Sequence, residues 1–341
     1  MIKEELQKIL EKHLKWLNRE EGGERADLCE SNLHEADLRE ANLCKTNLSG
    51  ANLCKTNLCE SDLRESDLSG ANLSKADLCK ANLYKADLCK ADLCGTNLRE
   101  ANLIVACLSG ADLRESDLRE SDLRGADLCE SNLHEADLRK ADLRKADLCK
   151  ADLCGANLSG ANLRGADLYR ANLRESNLRE ANLREANLCK TNLSEANLRG
   201  ADLSWTDLSG ADLSGANLRG TDLSGCRGLI SPIEYMEKNF EKAEDGYICY
   251  KIFSNIYATP DYWEIKNGSI ISEVVNPYRT VDCACGVNVG TLDWVRENNS
   301  SNANIWKCII EWKWLSGVVV PYNTNGKIRC EKVKLLEVIM E

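Results

Sequence analysis

The chain has 341 residues, of which 29% are charged and 5% aromatic, and its formal net charge is -11. It lacks an apolar run near the roughly 18 residues of a membrane-spanning helix, and charged residues stand where a secretory signal would turn hydrophobic, so we expect a cytoplasmic protein without a membrane segment. The acidic balance argues against direct nucleic-acid binding, and in a reducing compartment the 18 cysteines should be thiols.

Residues 2–17 carry apolar side chains at helical spacing, with charged residues on the other side. The apolar face comprises Ile2, Leu6, Ile9, Leu10, His13, Leu14 and Leu17. We expect an amphipathic helix that caps the N-terminal end of the next domain, and Gly22 and Gly23 would let the chain fold back. Binding to a membrane or to a partner helix is the alternative use of such a face. Residues 1–25 are therefore predicted to be a capping helix and its linker.

A five-residue repeat fills residues 26–225. Leucine stands at position 28 and at every fifth position through 223, forty times in all. The preceding residue is Asp 20 times and Asn 19 times, with Cys107 as the exception, and the residue before that is always Ala, Ser or Thr. A period of five fits neither the helix, with about 3.6 residues per turn, nor the two-residue alternation of a long strand. The chain must therefore turn once in each repeat unit.

Four such turns close one coil, and the repeat predicts about ten coils stacked at the ~4.8 Å spacing of paired strands. Leucine must fill the axis because it is the only large apolar residue that recurs. The small residue two positions before it also faces inward, and the other three positions face outward. Glycine occupies the last position 13 times and suits a positive φ, whereas Lys or Glu there favours other turns, so we expect mixed corners.

The A(D/N)LXX run resembles the repeats of the pentapeptide-repeat family, and its forty consecutive matches cover 200 of the 341 residues. The resemblance implies a mainly β fold, a right-handed quadrilateral β-helix, and it implies a solenoid without implying an activity. Some members that confer quinolone resistance are similar to B-form DNA in shape and charge and bind gyrase. Most members have no known partner.

A separate domain is predicted over residues 226–341, where the repeat ends and all four prolines, both phenylalanines and five of the seven tryptophans lie. We predict strands over 246–253, 262–271, 304–314, 318–322 and 327–338 and a helix over 291–298, which together make a small α+β domain. The stretches 282–295 and 318–336 resemble uncharacterised tail domains of other bacterial and phage pentapeptide-repeat proteins. That resemblance carries no known activity.

Residues at equivalent positions of successive coils should stack in columns on the outside. The sequence ANLIVACLSG at 101–110 places Ile104 and Val105 on the exterior, and Tyr84 lies one coil below Ile104 in the same column. These three residues predict a small exposed apolar patch, which we treat as the candidate contact site for a protein partner. Sequence drift is the alternative explanation.

Two neighbouring columns are rich in arginine. Their members include Arg99, Arg119 and Arg139 in one column and Arg124 and Arg144 in the next. Such a basic stripe could bind an extended polyanion or an acidic partner. Several of these arginines precede a glutamate, however, and pairing would produce a solvated ladder of ion pairs in which each pair contributes little. The ladder is the favoured interpretation.

The sequence predicts no catalytic, cofactor-binding or metal-binding residues. Cys59 would stack on Cys79 and Cys129 on Cys149, close enough for disulfides, yet they are expected to stay reduced. No close His or Cys cluster has the usual spacing of metal ligands.

The predicted function is therefore a non-enzymatic scaffold for protein–protein interaction with an unknown partner, as a monomer or weak dimer. One alternative is a DNA mimic that acts on a type II topoisomerase such as gyrase, although a net charge of -9 over residues 26–225 gives a weak field. The other is an enzymatic or ligand-binding activity in the C-terminal domain. Its candidate site is the C-x-C pair Cys283 and Cys285, joined by Cys249, which is an unusual spacing for zinc.

Overall fold

The computed structural model describes residues 3–228, 232–253, 260, 262–273, 287–299, 303–318 and 326–339. The chain divides into two compact units, Met1–Gly228 and Leu229–Glu341. No helix in the described ranges is long and apolar enough to cross a membrane.

Most of the first unit is a parallel β-helix. Parallel bridges join each Asp or Asn position to the equivalent position four repeat units later, from Asp27 with Asn47 to Asp207 with Arg227. The N–H of each repeat leucine from Leu28 to Leu208 donates to the backbone of the next coil, as from Leu103 to the Asp122 carbonyl at 2.8 Å. Each unit is therefore paired with the unit four positions later in the repeat, so one coil takes four repeat units, as the period predicts.

The leucines fill the interior of this β-helix. All 39 leucines of the repeat from Leu28 to Leu218 are buried, and Leu223 is half-buried. At most positions where Ser or Thr replaces Ala two residues before a leucine, its hydroxyl donates to a leucine carbonyl, as from Ser61 to Leu58 at 2.7 Å. The inward orientation of the leucines is confirmed, and such hydrogen bonds satisfy buried hydroxyls.

The Asp or Asn before each leucine forms a local turn. Its Oδ1 accepts the backbone N–H of the second residue after it, as in Asp147 with Cys149 at 2.9 Å. Where Asn lies above Asp, the Asn side chain can donate to the Asp below, as from Asn97 to Asp77 at 2.8 Å. Short side chains with a carbonyl or carboxylate oxygen make this turn, which explains why Asp and Asn occupy 39 of the forty positions.

The prediction of mixed corners is wrong. All forty corner residues, with or without a side chain, have φ between 53° and 74°, which is the left-handed region and matches the third position of a type II turn. The reason is stacking: the N–H of Lys85, for example, donates to the Ile104 carbonyl at 3.1 Å, and that of Ala86 donates to the Leu83 carbonyl at 2.9 Å. These two bonds recur in successive coils and override the preference of the corner residue.

Helix α1 spans Lys3–Leu17 and packs on the first coils through His13, which is fully buried. Leu14 was expected on the packed face, yet 49% of its surface is exposed. Gly23 returns the chain past α1 so closely that an added Cβ would lie 2.4 Å from the backbone nitrogen of Trp16. Glycine is required at this approach.

The second unit has a six-stranded sheet of order β2-β6-β4-β1-β3-β5, whose described strand pairs are antiparallel. Its strands are β1 Gly246–Ile252, β2 Ile270–Ser272, β3 Val287–Gly290, β4 Ile305–Glu311, β5 Lys327–Cys330 and β6 Lys332–Ile339. Its helices are α2 Pro232–Asn239, α3 Leu292–Glu297 and a 3-10 helix, Trp312–Gly317.

The prediction for this unit is partly confirmed. β1, β4 and α3 lie where strands and a helix were predicted, but the strand predicted over 262–271 forms only at its end, as β2. The strand predicted over 327–338 is interrupted at Glu331 and supplies two strands, β5 and β6. The strand predicted over 318–322 lies, apart from Val318, outside the described residues. α2 and β3 were not predicted.

Candidate interaction surface

Tyr84, Ile104, Arg124 and Arg144 occupy equivalent positions in four successive coils, and we call them the Tyr84 column. The stacking is direct, since the N–H of Val105 donates to the Arg124 carbonyl at 3.1 Å. The structure therefore places the apolar patch immediately beside one of the two arginine stripes, on the same face. The sequence alone indicated the patch and the stripe as two separate features.

Val105 is the most exposed member of the apolar patch. Its side chain is 51% exposed, whereas Tyr84 and Ile104 are half-buried. The Lys85 ammonium lies 5.2 Å from the centre of the Tyr84 ring, a cation–π distance. The patch thus offers one aromatic and two aliphatic side chains to solvent.

Val105 also has an unfavourable backbone conformation. Its φ is 57°, and among the described residues it is the only β-branched one with a positive φ. A β-branched residue is a strong outlier in this region, and the left-handed conformation costs an L-residue about 1–2 kcal/mol. The stack imposes that cost.

Replacing Val105 with Asn should raise the free energy of unfolding by about 1 kcal/mol, because Asn adopts the left-handed region more readily. The measurement is urea unfolding followed by circular dichroism. The matched control is Lys85→Asn, one coil below at φ 56°, where we expect a smaller gain because the replaced side chain is not β-branched. Equal changes in the two variants would contradict the prediction.

Trp205 is an exposed aromatic residue that sequence analysis missed. It occupies the same corner column as Val105, five coils further along, and is 63% exposed. Its ring lies over Gly225, where an added Cβ would come 2.8 Å from the Trp205 Cδ2 atom. The available signal was a large apolar residue in a column of corners otherwise held by Gly, Lys, Glu and Val.

The arginine stripes consist of paired charges. The five candidate arginines pair as Arg99 with Glu100, Arg119 with Asp117, Arg124 with Asp122, Arg139 with Asp137 and Arg144 with Asp142. Only Arg99 uses the glutamate that follows it; the others use the aspartate two positions earlier. Hydrogen bonds from Arg119 hold the pKa of Asp117 below its usual value. The stripes thus offer a polyanion few unpaired cations.

One covalent bond links neighbouring coils. Cys89 and Cys107 form a disulfide with a Cα–Cα distance of 5.6 Å, whereas sequence analysis expected thiols throughout. Cys107 is the one residue that replaces Asp or Asn before a leucine, and it stacks on Asp87. The exception in the repeat therefore brings its sulfur to Cys89, two positions after Asp87.

The candidate cysteine site in the second unit is only partly described. Cys283 and Cys285 lie outside the described residues. Cys249 is opposite Cys308 in the β1–β4 register, both are fully buried thiols, and Cys330 belongs to the same core cluster. Burial raises the pKa of Cys330 to about 12, so this thiol stays protonated at neutral pH. These three cysteines act as core residues.

The repeat region matches a known protein family. The family model described as Pentapeptide repeats (8 copies) matches overlapping segments that together span residues 24–227. A comparison with curated proteins finds no match.

Several solved structures are similar. HetL, a pentapeptide repeat protein involved in heterocyst differentiation regulation from the cyanobacterium Nostoc sp. strain PCC 7120, is 35% identical over 64% of this chain and 96% of its own, with a TM-score of 0.46. The pentapeptide repeat protein alr5209 from Nostoc PCC 7120 is 40% identical over 30% of this chain and 84% of its own, with a TM-score of 0.24. QnrB1, a plasmid-mediated fluoroquinolone resistance protein, is 18% identical over 60% of this chain and 89% of its own, with a TM-score of 0.34.

The family model covers more than half of the residues, and the repeat that it describes is the one whose leucines fill the β-helix. The chain belongs to the pentapeptide-repeat family.

Proposed function

We propose that this protein is a non-enzymatic scaffold that binds a protein partner through the Tyr84 column and the adjoining Val105. The observation that carries the proposal is Val105 itself, an exposed β-branched residue in a left-handed corner. Strained residues of this kind concentrate at functional sites. Lysine or glycine would meet the needs of the fold at this corner, as in neighbouring coils.

The composition of the surface supports a protein partner. Tyrosine and arginine are enriched at protein interfaces, and an apolar centre with a polar rim is the usual arrangement. Here Tyr84, Ile104 and Val105 supply the centre, while Arg124 and Arg144 with their aspartates supply one side of the rim. Coils fixed by backbone hydrogen bonds lose little freedom on binding, which favours affinity.

The proposal includes the finer architecture. We take the β-helix to be right-handed with about ten coils, α1 to be its N-terminal cap, and residues 226–341 to be a separate α+β domain. The hydrogen bonds of His13 to the first coils support the capping role.

A photo-crosslinking amino acid placed at position 84 or 104 in the native cell tests the contact. We expect both positions to give the same adduct, and mass spectrometry would identify the captured protein. Matched controls are positions 74 and 94, half a coil away, which should give none. Ile104→Ser should abolish the adduct from position 84. Equal capture from both faces, or no adduct, would contradict the proposal.

The rival function, DNA mimicry directed at a topoisomerase, has a separate test. A scaffold that uses the Tyr84 column should leave DNA supercoiling by purified gyrase unchanged. Dose-dependent inhibition by the full-length protein would favour the rival.

A further inference from the structure

Two cysteines and one aspartate converge on the face that follows the Tyr84 column along the chain. The two Sγ atoms of Cys129 and Cys149 and a carboxylate oxygen of Asp147 all lie within 4.8 Å of one another. We propose that these three residues bind a thiophilic divalent cation of the Zn²⁺ type, with water as the fourth ligand. The site is independent of the protein contact proposed above.

The geometry suits a small tetrahedral ion. Zinc bond lengths of about 2.3 Å to sulfur and about 2.0–2.2 Å to oxygen place neighbouring ligand atoms about 3.5–3.8 Å apart. The three side chains can reach that spacing by rotating, because the two cysteines are half-buried and Asp147 is exposed. The backbone N–H of Cys149 holds Oδ1 of Asp147 at 2.9 Å. This hydrogen bond orients the carboxylate, as an outer-shell partner does in metal sites.

The surrounding charges favour a cation. Asp127, Asp147 and Asp167 stack in three successive coils. Within the described part of the chain, none of the three carboxylates forms a salt bridge. The nearby Lys150 is held by Glu130 at 2.7 Å.

Two other pairs of stacked aspartates in the β-helix are compensated by arginine. Asp117 and Asp137 share Arg119, whose distances to their carboxylates are 2.5 Å and 3.7 Å. Asp122 and Asp142 share Arg124 in the same way. Arginine in these pairs stands two positions after the lower aspartate. The residue two positions after Asp127 is Cys129, and the residue two positions after Asp147 is Cys149. Beside these stacked aspartates, thiols therefore stand where the other pairs have guanidinium groups.

Binding must displace protons from the thiols. The pKa of Cys129 is raised to about 11 by burial and by the charges of Cys149 and Asp147, so this thiol is protonated at neutral pH. When the site takes up a divalent ion, the two thiols release two protons and two metal–sulfur bonds form. With the carboxylate as third ligand, the occupied site has a net charge of -1. No oxidant or reductant is needed.

Two further cysteine pairs define the controls. Asp87, Cys89 and Cys107 form a cluster with the same donors, but the disulfide removes both sulfurs as ligands. Cys107→Asn restores the residue type of the repeat and eliminates this cluster under reducing conditions. The other pair, Cys59 and Cys79, has two neighbouring thiols and forms no such three-residue cluster within the described residues.

The experiment is a Co²⁺ titration of full-length Cys107→Asn protein with a phosphine reductant, followed by the thiolate-to-cobalt charge-transfer band. We expect one equivalent to bind and Zn²⁺ to displace it. Adding Cys129→Ser and Cys149→Ser should abolish the band, and adding Asp147→Asn should weaken binding at least about tenfold. Adding Cys59→Ser and Cys79→Ser instead should change nothing. Circular dichroism checks that each variant retains the fold.

The site is wrong if the band does not form at stoichiometric Co²⁺, or if it survives the loss of Cys129 and Cys149. It is also wrong if Asp147→Asn binds with unchanged affinity, because the carboxylate would then not be a ligand. A band that depends on Cys59 and Cys79 would place the metal elsewhere in the β-helix.

Discussion

Leu123→Ala should lower the free energy of unfolding by about 2–5 kcal/mol, the range for a buried leucine whose cavity cannot collapse. Leu123 is fully buried in the middle of the β-helix. Its N–H donates to the Asp142 carbonyl at 2.8 Å, and equivalent bonds hold the coils on either side. The coils therefore cannot close on the vacated volume without breaking backbone hydrogen bonds.

The matched control is Leu223→Ala in the last coil, where the leucine is only half-buried. We expect the free energy of unfolding to fall by less than about 1 kcal/mol there, because a half-buried leucine removes less apolar surface from water when the protein folds. Urea unfolding followed by circular dichroism measures both variants. Similar losses at the two positions would show that the interior leucines are not the main source of stability.

The fold of the repeat could be predicted from the sequence because every unit has its one large apolar residue at the same position. Forty leucines at one period leave one inward position, and one coil then requires four units. The corner at Lys85 could not be predicted in this way. Its left-handed conformation is set by a hydrogen bond to Ile104 in the next coil, whereas local turn preferences describe only the residue itself.

The cluster of Cys129, Cys149 and Asp147 could not be predicted in full from the sequence for a similar reason. Cys129 and Cys149 occupy equivalent positions in successive coils, so stacked thiols could be foreseen. The position of the Asp147 carboxylate close to both of them, however, depends on the turn that it forms with Cys149. The second unit has no period at all. Its strand β6 pairs with β4 and β2, and tertiary pairing of this kind decides strand ends more than local pattern does.

His13→Ala should lower the free energy of unfolding by about 2–4 kcal/mol near pH 8, because it opens a cavity and leaves two backbone groups without their partner. The His13 Nδ1 atom accepts the N–H of Ala26 at 3.1 Å. Nε2 lies 3.0 Å from the Cys44 carbonyl, so Nε2 carries the proton and donates it. The matched control is His34→Ala, an exposed histidine beside Glu35, for which we expect little change.

The same residue gives the stability a pH dependence of defined sign. Burial lowers the pKa of His13, and the positive charge of Arg25 adds to the effect. A second proton would have to enter at Nδ1, where the N–H of Ala26 already points. The folded protein thus favours neutral histidine, whereas His13 in the unfolded chain has the ordinary histidine pKa of about 6.5. This contribution is fully present above about pH 6.5 and is lost as the pH falls from there toward the lowered pKa of the folded state.

Urea unfolding near pH 8 and near pH 5 measures this dependence. The acid loss of stability should be smaller in His13→Ala than in the wild type or in His34→Ala, because only the first variant lacks the buried imidazole whose neutral form the fold favours. An equal acid loss in all three proteins would mean that His13 does not carry this pH dependence and that other groups, such as the aspartates of the turns, do.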